Sequence, residues 1–268
     1  MANPALNEKR FEDVRKDWQP GWAAPESATQ SQDRAPTPPA AARTGVMTAN
    51  GTFAKTFVLF ILVLVGGAVG WSQVEASPAR QIDFPAWTWV CLFGAFALAM
   101  VCVFKPKASP FVAPFYAVLE GVFLGAISKV FELHWNGIVF QAVLATVGVF
   151  FATLALYVFG VVKVTRKFQM VVIGATCGIF LLYVFGALLS LFGVDVIFWN
   201  QPSALGIGVS VVICCVASLN LFLDYEFIRQ SSTQGAPKFM EWYGAFGIMV
   251  TLVWLYIEML RLLSLLRQ

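Results

Sequence analysis

The fold of this protein is decided by uncharged stretches such as residues 168–194, which read FQMVVIGATCGIFLLYVFGALLSLFGV. An α-helix rises 1.5 Å per residue, so roughly 20 apolar residues cross the ~30 Å hydrocarbon layer of a bilayer. Residues 56–74, 84–104 and 135–162 likewise contain no Asp, Glu, Lys or Arg. Each of these four stretches predicts a transmembrane helix.

Three further apolar stretches, residues 110–128, 196–223 and 242–266, contain or adjoin ionisable residues. We expect helices there too, because the chain is 59% hydrophobic and 12% charged, with a mean hydropathy of +0.74, and continuous runs do not suit the alternating strands of a barrel. The sequence therefore predicts an all-α membrane protein, a seven-transmembrane-helix bundle embedded in the lipid bilayer. The predicted helices span residues 54–74, 84–104, 110–131, 136–162, 168–192, 203–228 and 240–266.

The first fifty residues differ in kind from the rest. They are rich in Pro, Ala, Gln, Ser and charge, and residues 35–42 read APTPPAAA. Such composition cannot bury enough apolar surface to fold alone. We predict a disordered cytoplasmic tail at residues 1–50 and a transmembrane domain at residues 51–268.

The distribution of Lys and Arg predicts the orientation. Seven lie in the tail up to Lys55, and the second, fourth and sixth loops hold two, three and two, which gives fourteen on one side against four on the other. We expect a multi-pass protein of the cytoplasmic membrane with its N-terminus in the cytoplasm and its C-terminus outside. A re-entrant final segment is the alternative, and it would return the C-terminus to the cytoplasm.

Pairs of glycines spaced four residues apart predict close contacts between helices, because small side chains let backbones approach in lipid. We expect these pairs to pack inside the bundle rather than to form a dimer interface, and the oligomeric state stays open. The pairs are Gly66 with Gly70, Gly121 with Gly125, and Gly174 with Gly178.

The residue inventory argues against catalysis. His134 is the only histidine, and no Gly-rich phosphate loop occurs, so Ser/His hydrolase, HExxH protease and phosphotransfer chemistry lack their parts. All five cysteines lie inside predicted spans and read as small buried side chains, so we expect no firm metal site. The net charge of +3 follows from the orientation bias and implies no nucleic acid partner.

Acids inside the spans are the candidate functional residues, because a carboxylate at bilayer depth costs about 2.5–3.5 kcal/mol even on the lenient insertion scale. Glu120 has no cation within one turn, whereas Glu258 precedes Arg261 by three residues and predicts an ion pair. Glu226 has an alternative interpretation, in which it lies near the membrane surface and its side chain extends to interfacial water. Asp224 shares a helix face with Asn220, and it lies about 200° from Glu226, so only one of these two acids can face the bundle centre.

Three stretches resemble the Bax inhibitor family, and specifically a bacterial branch with a long N-terminal tail. They are residues 116–128 (YAVLEGVFLGAIS), 219–226 (LNLFLDYE) and 255–263 (LYIEMLRLL). The resemblance implies a seven-helix bundle. It also implies, from some family members, a pH-sensitive calcium leak with two paired acids in helices six and seven.

The resemblance assigns the first paired acid to Glu226, which follows Tyr225, and we predict Glu226 to matter more than Asp224. For the second position two matches stay open: Leu-Tyr-x-acid gives Glu258, whereas the Leu-Arg-Leu-Leu run gives Thr251. Hairpin geometry favours the second match, because a turn near residues 235–237 sets Glu226 opposite residues around 244–247.

We therefore expect a cation leak pathway, for Ca²⁺ among others, lined by carboxylates, since hard cations prefer oxygen ligands. Transient Ca²⁺ or H⁺ is the only ligand expected. A membrane interaction protein that regulates a protease or a stress response through a membrane partner is the alternative, and a proton-coupled small-solute transporter is the third. The candidate residues are Glu120, Asp224, Glu226 and Glu258, with Asn220, Tyr225, Thr251 and Arg261 in support.

Overall fold

The computed structural model describes residues 45–74, 86–192 and 203–268. Within them lie seven α-helices long and apolar enough to cross a membrane, so the predicted all-α class is confirmed. A 3₁₀ turn at Pro106–Ala108 precedes the third helix. The helices are α1 (Ala49–Ser72), α2 (Ala86–Phe104), α3 (Ser109–His134), α4 (Ile138–Val158), α5 (Arg166–Leu191), α6 (Ala204–Thr233) and α7 (Met240–Arg267).

Local sequence signals set several helix ends. The hydroxyls of Thr48, Thr165 and Ser203 cap the N-termini of α1, α5 and α6 by accepting a backbone N–H from the first turn. Helix α4 ends at Val158 rather than near residue 162, and Gly160 then turns the chain with a φ of +70°. That left-handed conformation favours glycine.

The described residues that precede α1 pack against the rest of the protein. Met47 is 2% exposed, and its N–H donates to the Ala236 carbonyl at 2.7 Å. The Lys238 N–H donates in turn to the Gly45 carbonyl at 2.9 Å. These two hydrogen bonds attach the start of α1 to the loop between α6 and α7. Of the tail predicted at residues 1–50, residues 1–44 lie outside the described residues.

Helices α1 and α3 make the closest backbone contact, and glycines permit it. A Cβ atom built at Gly66 would strike the Val118 carbonyl oxygen, and one at Gly121 would strike that of Val63. Gly70 and Gly125 are equally tight against α3 and α1, so the predicted internal packing is confirmed for both pairs. The same expectation is wrong for Gly174 and Gly178, where a Cβ would meet no neighbouring atom within 4 Å.

Helix α7 occupies the centre of the bundle and packs against α1, α3, α4 and α6. One apolar cluster joins α1, α2, α3 and α7, with Leu59, Tyr116 and Met249 among its members. Another joins α6 and α7 through Leu221 and Ile248. Side chains projecting from α7 therefore meet several helices, which makes α7 the element that positions the candidate site.

Candidate functional site

Asp224 of α6 faces α7, where Thr251 and Gly247 receive it. The Thr251 hydroxyl donates to Asp224 Oδ2 at 2.7 Å and also lies 3.2 Å from the Gly247 carbonyl oxygen. One hydroxyl hydrogen cannot fully serve both acceptors. A Cβ at Gly247 would sit 3.5 Å from Asp224 Oδ1, so the glycine leaves room beside the carboxylate.

The Asp224 carboxylate has no cationic partner among the described residues. The ion pairs found there are Lys55 with Glu241, Arg229 with Glu226, and Arg261 with Glu258. The side chain is only partly exposed, and an acid within a membrane span normally pairs with a cation or marks an ion path. Asp224 is not paired with a cation among the described residues.

Glu226 points away from α7 and toward α4. It accepts hydrogen bonds from the Tyr157 hydroxyl at 2.7 Å, Arg229 Nη2 at 2.6 Å and Gln230 Nε2 at 2.7 Å. Its charge is thereby balanced at the end of the bundle. Glu226 does lie at the level of residues 244–247, because Ile228 meets Gly244 and Asp224 meets Gly247. Its side chain faces α4, however, so the acid that contacts α7 there is Asp224.

Glu258 forms the predicted ion pair with Arg261, deep in the bundle. Arg261 Nη2 lies 2.8 Å from Glu258 Oε2, in ionic contact without hydrogen-bond angles. Tyr183 of α5 donates to Glu258 Oε1 at 2.5 Å and lies 2.6 Å from Arg261 Nη1, while Arg261 Nε reaches Ser210 of α6 at 3.2 Å. This network links α5, α6 and α7. Glu258 is therefore engaged elsewhere, and of the two residues matched to the second acid it is Thr251 that contacts Asp224.

Glu120 is 8% exposed on α3 and forms no ion pair or hydrogen bond with any described residue. One turn earlier, the ring of Tyr116 packs edge-on against Phe246 of α7 with the centroids 5.0 Å apart. Phe246 adjoins Gly247, the neighbour of Asp224. Among the described residues, Glu132 at the end of α3 also has no ion pair, but it accepts backbone N–H groups from Gly137 and Val139. Asp224 contacts α7 directly, and Glu120 lies one turn from the contact between Tyr116 of α3 and Phe246 of α7.

A family model described as Bax inhibitor 1 like matches residues 3–268, which is nearly the whole chain. The protein belongs to this family. The resemblance noted in the sequence is thus confirmed, and with seven apolar helices the chain is a multi-pass membrane protein of that family. Comparisons with curated proteins and with solved structures gave no match.

In this Bax inhibitor 1 like protein, two of the expected supporting residues serve other helices than α7. Asn220 donates to the Thr176 hydroxyl of α5 at 2.8 Å, despite sharing a helix face with Asp224. Tyr225 is 2% exposed, and its hydroxyl donates to the Phe150 carbonyl of α4 at 3.2 Å. Both residues hold α6 in place and leave Asp224 to Thr251.

Sequence reasoning missed a fourth buried acid, Glu241, in the first turn of α7. It is 2% exposed, pairs with the Lys55 ammonium, and accepts from the Thr48 N–H at 2.9 Å and the Thr48 hydroxyl at 3.0 Å. Lys55 also lies 5.6 Å from the ring centroid of Trp242. An acid in the first turn of a helix is stabilised by the helix dipole, and this was the only signal in the sequence. Lys55 gave none, because in the sequence it is one of the seven cations counted with the tail.

Proposed function

We propose that this protein lies in the cytoplasmic membrane and passes cations, Ca²⁺ among them, through its helix bundle, with Asp224 as the carboxylate that binds the passing ion. The observation that carries the proposal is the carboxylate of Asp224 between α6 and α7, which among the described residues has no cationic partner and accepts a hydrogen bond from one hydroxyl, that of Thr251. Burying such a group costs about 2.5–3.5 kcal/mol on the lenient scale. A passing cation would supply the partner that the described residues do not.

The candidate intramembrane acids and Glu241 fall into two groups, according to whether they form an ion pair among the described residues. Glu226, Glu241 and Glu258 each pair with a basic side chain and stabilise helix contacts. Asp224 and Glu120 do not pair with a basic side chain among the described residues; Asp224 contacts Thr251 of α7, and Glu120 lies one turn from Tyr116, which packs against Phe246 of α7. Since α7 fills the space between α3 and α6, conduction requires α7 to shift against one of them, and the described structure represents the closed state in this proposal.

The oxygen atoms around Asp224 are suited to binding a passing cation weakly, not to holding it tightly. Ca²⁺ takes six to eight oxygen ligands at about 2.3–2.6 Å, whereas Asp224, Thr251 and the Gly247 carbonyl provide an incomplete set. The remaining ligands would be waters. Conduction needs binding that is weak enough for the ion to leave, and one carboxylate with two neutral oxygens meets that need.

Thr251 is one of the two residues that the family resemblance matches to the second acid, and it is the one that contacts Asp224. The site therefore holds one carboxylate and one hydroxyl instead of two carboxylates that share a proton. Two interacting acids titrate as a coupled pair, while a single acid titrates alone. We expect a leak through this protein to depend on pH in one step.

A second function, an interaction protein that does not conduct, is favoured by a different observation. Three intramembrane acids act as ionic clamps, and α5 leaves Gly174 and Gly178 open to a partner. In that reading the acids only lock helix packing. Neither function is enzymatic.

Calcium efflux from liposomes tests the proposal. Purified protein is reconstituted into vesicles loaded with CaCl₂, and efflux is followed with an external calcium indicator between about pH 5 and pH 8, where buried carboxyl groups titrate. We expect protein-dependent efflux that changes in one step with pH. Proton flux without calcium flux would indicate proton-coupled transport. The absence of both fluxes would favour an interaction protein that does not conduct ions.

A further inference from the structure

Between α1 and α4 the bundle has a long apolar groove of about 800 Å³. Helix α1 lines it on one side and α4 on the other, while α3 and α7 contribute residues between them. Phe57 on α1 and Phe151 on α4 are 65% and 61% exposed. The groove therefore opens sideways, toward lipid, and not toward water at the ends of the helices.

The groove extends through most of the bilayer. Its lining on α1 runs from Phe53 to Trp71, which at 1.5 Å per residue is about 27 Å, close to the ~30 Å hydrocarbon thickness. We call this feature, between Phe53 and Trp71 on α1 and between Val139 and Leu154 on α4, the α1–α4 groove. Its length suits acyl chains that lie parallel to the helices.

The hydroxyl groups that line the groove all form hydrogen bonds within the protein. Ser128 and Tyr256 share a hydrogen bond of 2.6 Å, and the Thr146 hydroxyl donates to the Ala142 carbonyl at 2.8 Å. A hydrocarbon chain against these residues would leave no donor or acceptor without a partner. The lining is thus apolar in effect along its whole length.

A cation stands at the Trp71 end of the α1–α4 groove. Lys129 Nζ lies 4.8 Å from the ring centroid of Trp71, which lines the groove, and Lys129 forms no ion pair with a described residue. At the opposite end, the ammonium of Lys55 is neutralised by Glu241. The groove therefore adjoins an ammonium group that no carboxylate of the described residues neutralises.

We propose that the α1–α4 groove binds an anionic phospholipid, with an acyl chain along the groove and the phosphate on Lys129. The apolar slot selects the chain, and Lys129 selects the charge of the headgroup. A basic residue near the membrane surface contributes about 1 kcal/mol to binding an anionic lipid, which corresponds to about fivefold in affinity.

Native mass spectrometry of the purified protein tests this assignment. The full chain is delipidated in detergent and incubated with equal amounts of phosphatidylglycerol and phosphatidylcholine, and the lipids retained per protein are counted. Ala68→Trp fills the groove from α1, and Val69→Trp, on the neighbouring lipid-exposed position outside the groove, is its matched control. Lys129→Gln removes the cation, and Lys107→Gln, in the exposed loop before α3, is the control for charge.

We expect the parent protein to retain phosphatidylglycerol in preference to phosphatidylcholine. Lys129→Gln should abolish that preference with about fivefold weaker phosphatidylglycerol binding, and Ala68→Trp should remove the lipid, while both controls behave as the parent. Equal retention of the two lipids by the parent, or retention unchanged in Ala68→Trp, overturns the proposal. Loss of a dimer in the same spectra on Ala68→Trp also overturns it, because the occupant would then be a helix of a second copy.

Discussion

The buried pair of Glu258 and Arg261 gives the sharpest stability prediction, through the substitution Glu258→Gln. The two side chains are 4% and 15% exposed, so neither charge can be solvated without opening the bundle. An amide at position 258 still accepts from Tyr183, but the arginine loses its counter-charge. Orphaning a buried charge costs about 3–5 kcal/mol.

Polar contacts between membrane helices average only about 0.6 kcal/mol, so we expect the lower end of that range, about 3 kcal/mol. For a chain of this size 1 kcal/mol shifts the midpoint by about 2–4 °C, which predicts a fall in Tm of about 6–12 °C. Thermal melting of the detergent-solubilised protein measures it. The double change with Arg261→Met removes the orphaned charge, and it should recover most of the loss.

The chain offers a matched control in Glu226→Gln, since Glu226 also pairs with an arginine three residues later. There the Arg229 side chain is 60% exposed and can turn to water, so the fall in Tm should be clearly smaller. Equal melting losses for Glu258→Gln and Glu226→Gln would refute the burial argument. So would a double variant that is less stable than Glu258→Gln alone.

Three further predictions concern packing, the second lone acid and orientation. Gly121→Leu forces a side chain into the α1 backbone and should cost about 3 kcal/mol of stability. Gly174→Leu places its side chain in open space and should change stability by less than about 0.5 kcal/mol. Thermal melting of the two purified variants measures the difference. Glu120→Gln should alter calcium efflux or its pH dependence more than it alters Tm, and a large Tm loss with normal efflux would make Glu120 a packing residue. Reporters fused before Met1 and after Gln268 should read cytoplasmic and external, and finding both in the cytoplasm would contradict the predicted orientation.

The features predicted well from sequence are those that depend on one helix or on short spacing. The length of the apolar stretches predicts the helices, including the three that contain or adjoin ionisable residues, because the bilayer sets that length. The ion pair of Glu258 with Arg261 follows from a spacing of three within a helix. The close contact of α1 with α3 follows from the glycines at Gly66 and Gly121, although the same spacing at Gly174 marks an open face, because spacing does not say whether a partner helix is present.

The features that sequence reasoning misplaced depend on how helices are rotated against each other. The angle between Asp224 and Glu226 on a helix shows that only one can face α7, but not which. That choice is made by α4, whose Tyr157 binds Glu226 and leaves Asp224 to face Thr251. The pair of Lys55 with Glu241 was out of reach, because 186 residues separate its members.

The most direct test of the account compares calcium efflux from liposomes that contain Asp224→Asn with efflux from those that contain Glu226→Gln. Both changes replace an acid by its amide on α6, two residues apart, at equal amounts of folded, reconstituted protein. If Asp224 binds the passing cation, Asp224→Asn should lower efflux at least about tenfold, which is equivalent to about 1.4 kcal/mol. Efflux through Glu226→Gln should stay within about twofold of the parent. Parent-like efflux through Asp224→Asn, or a greater loss in Glu226→Gln, would contradict it.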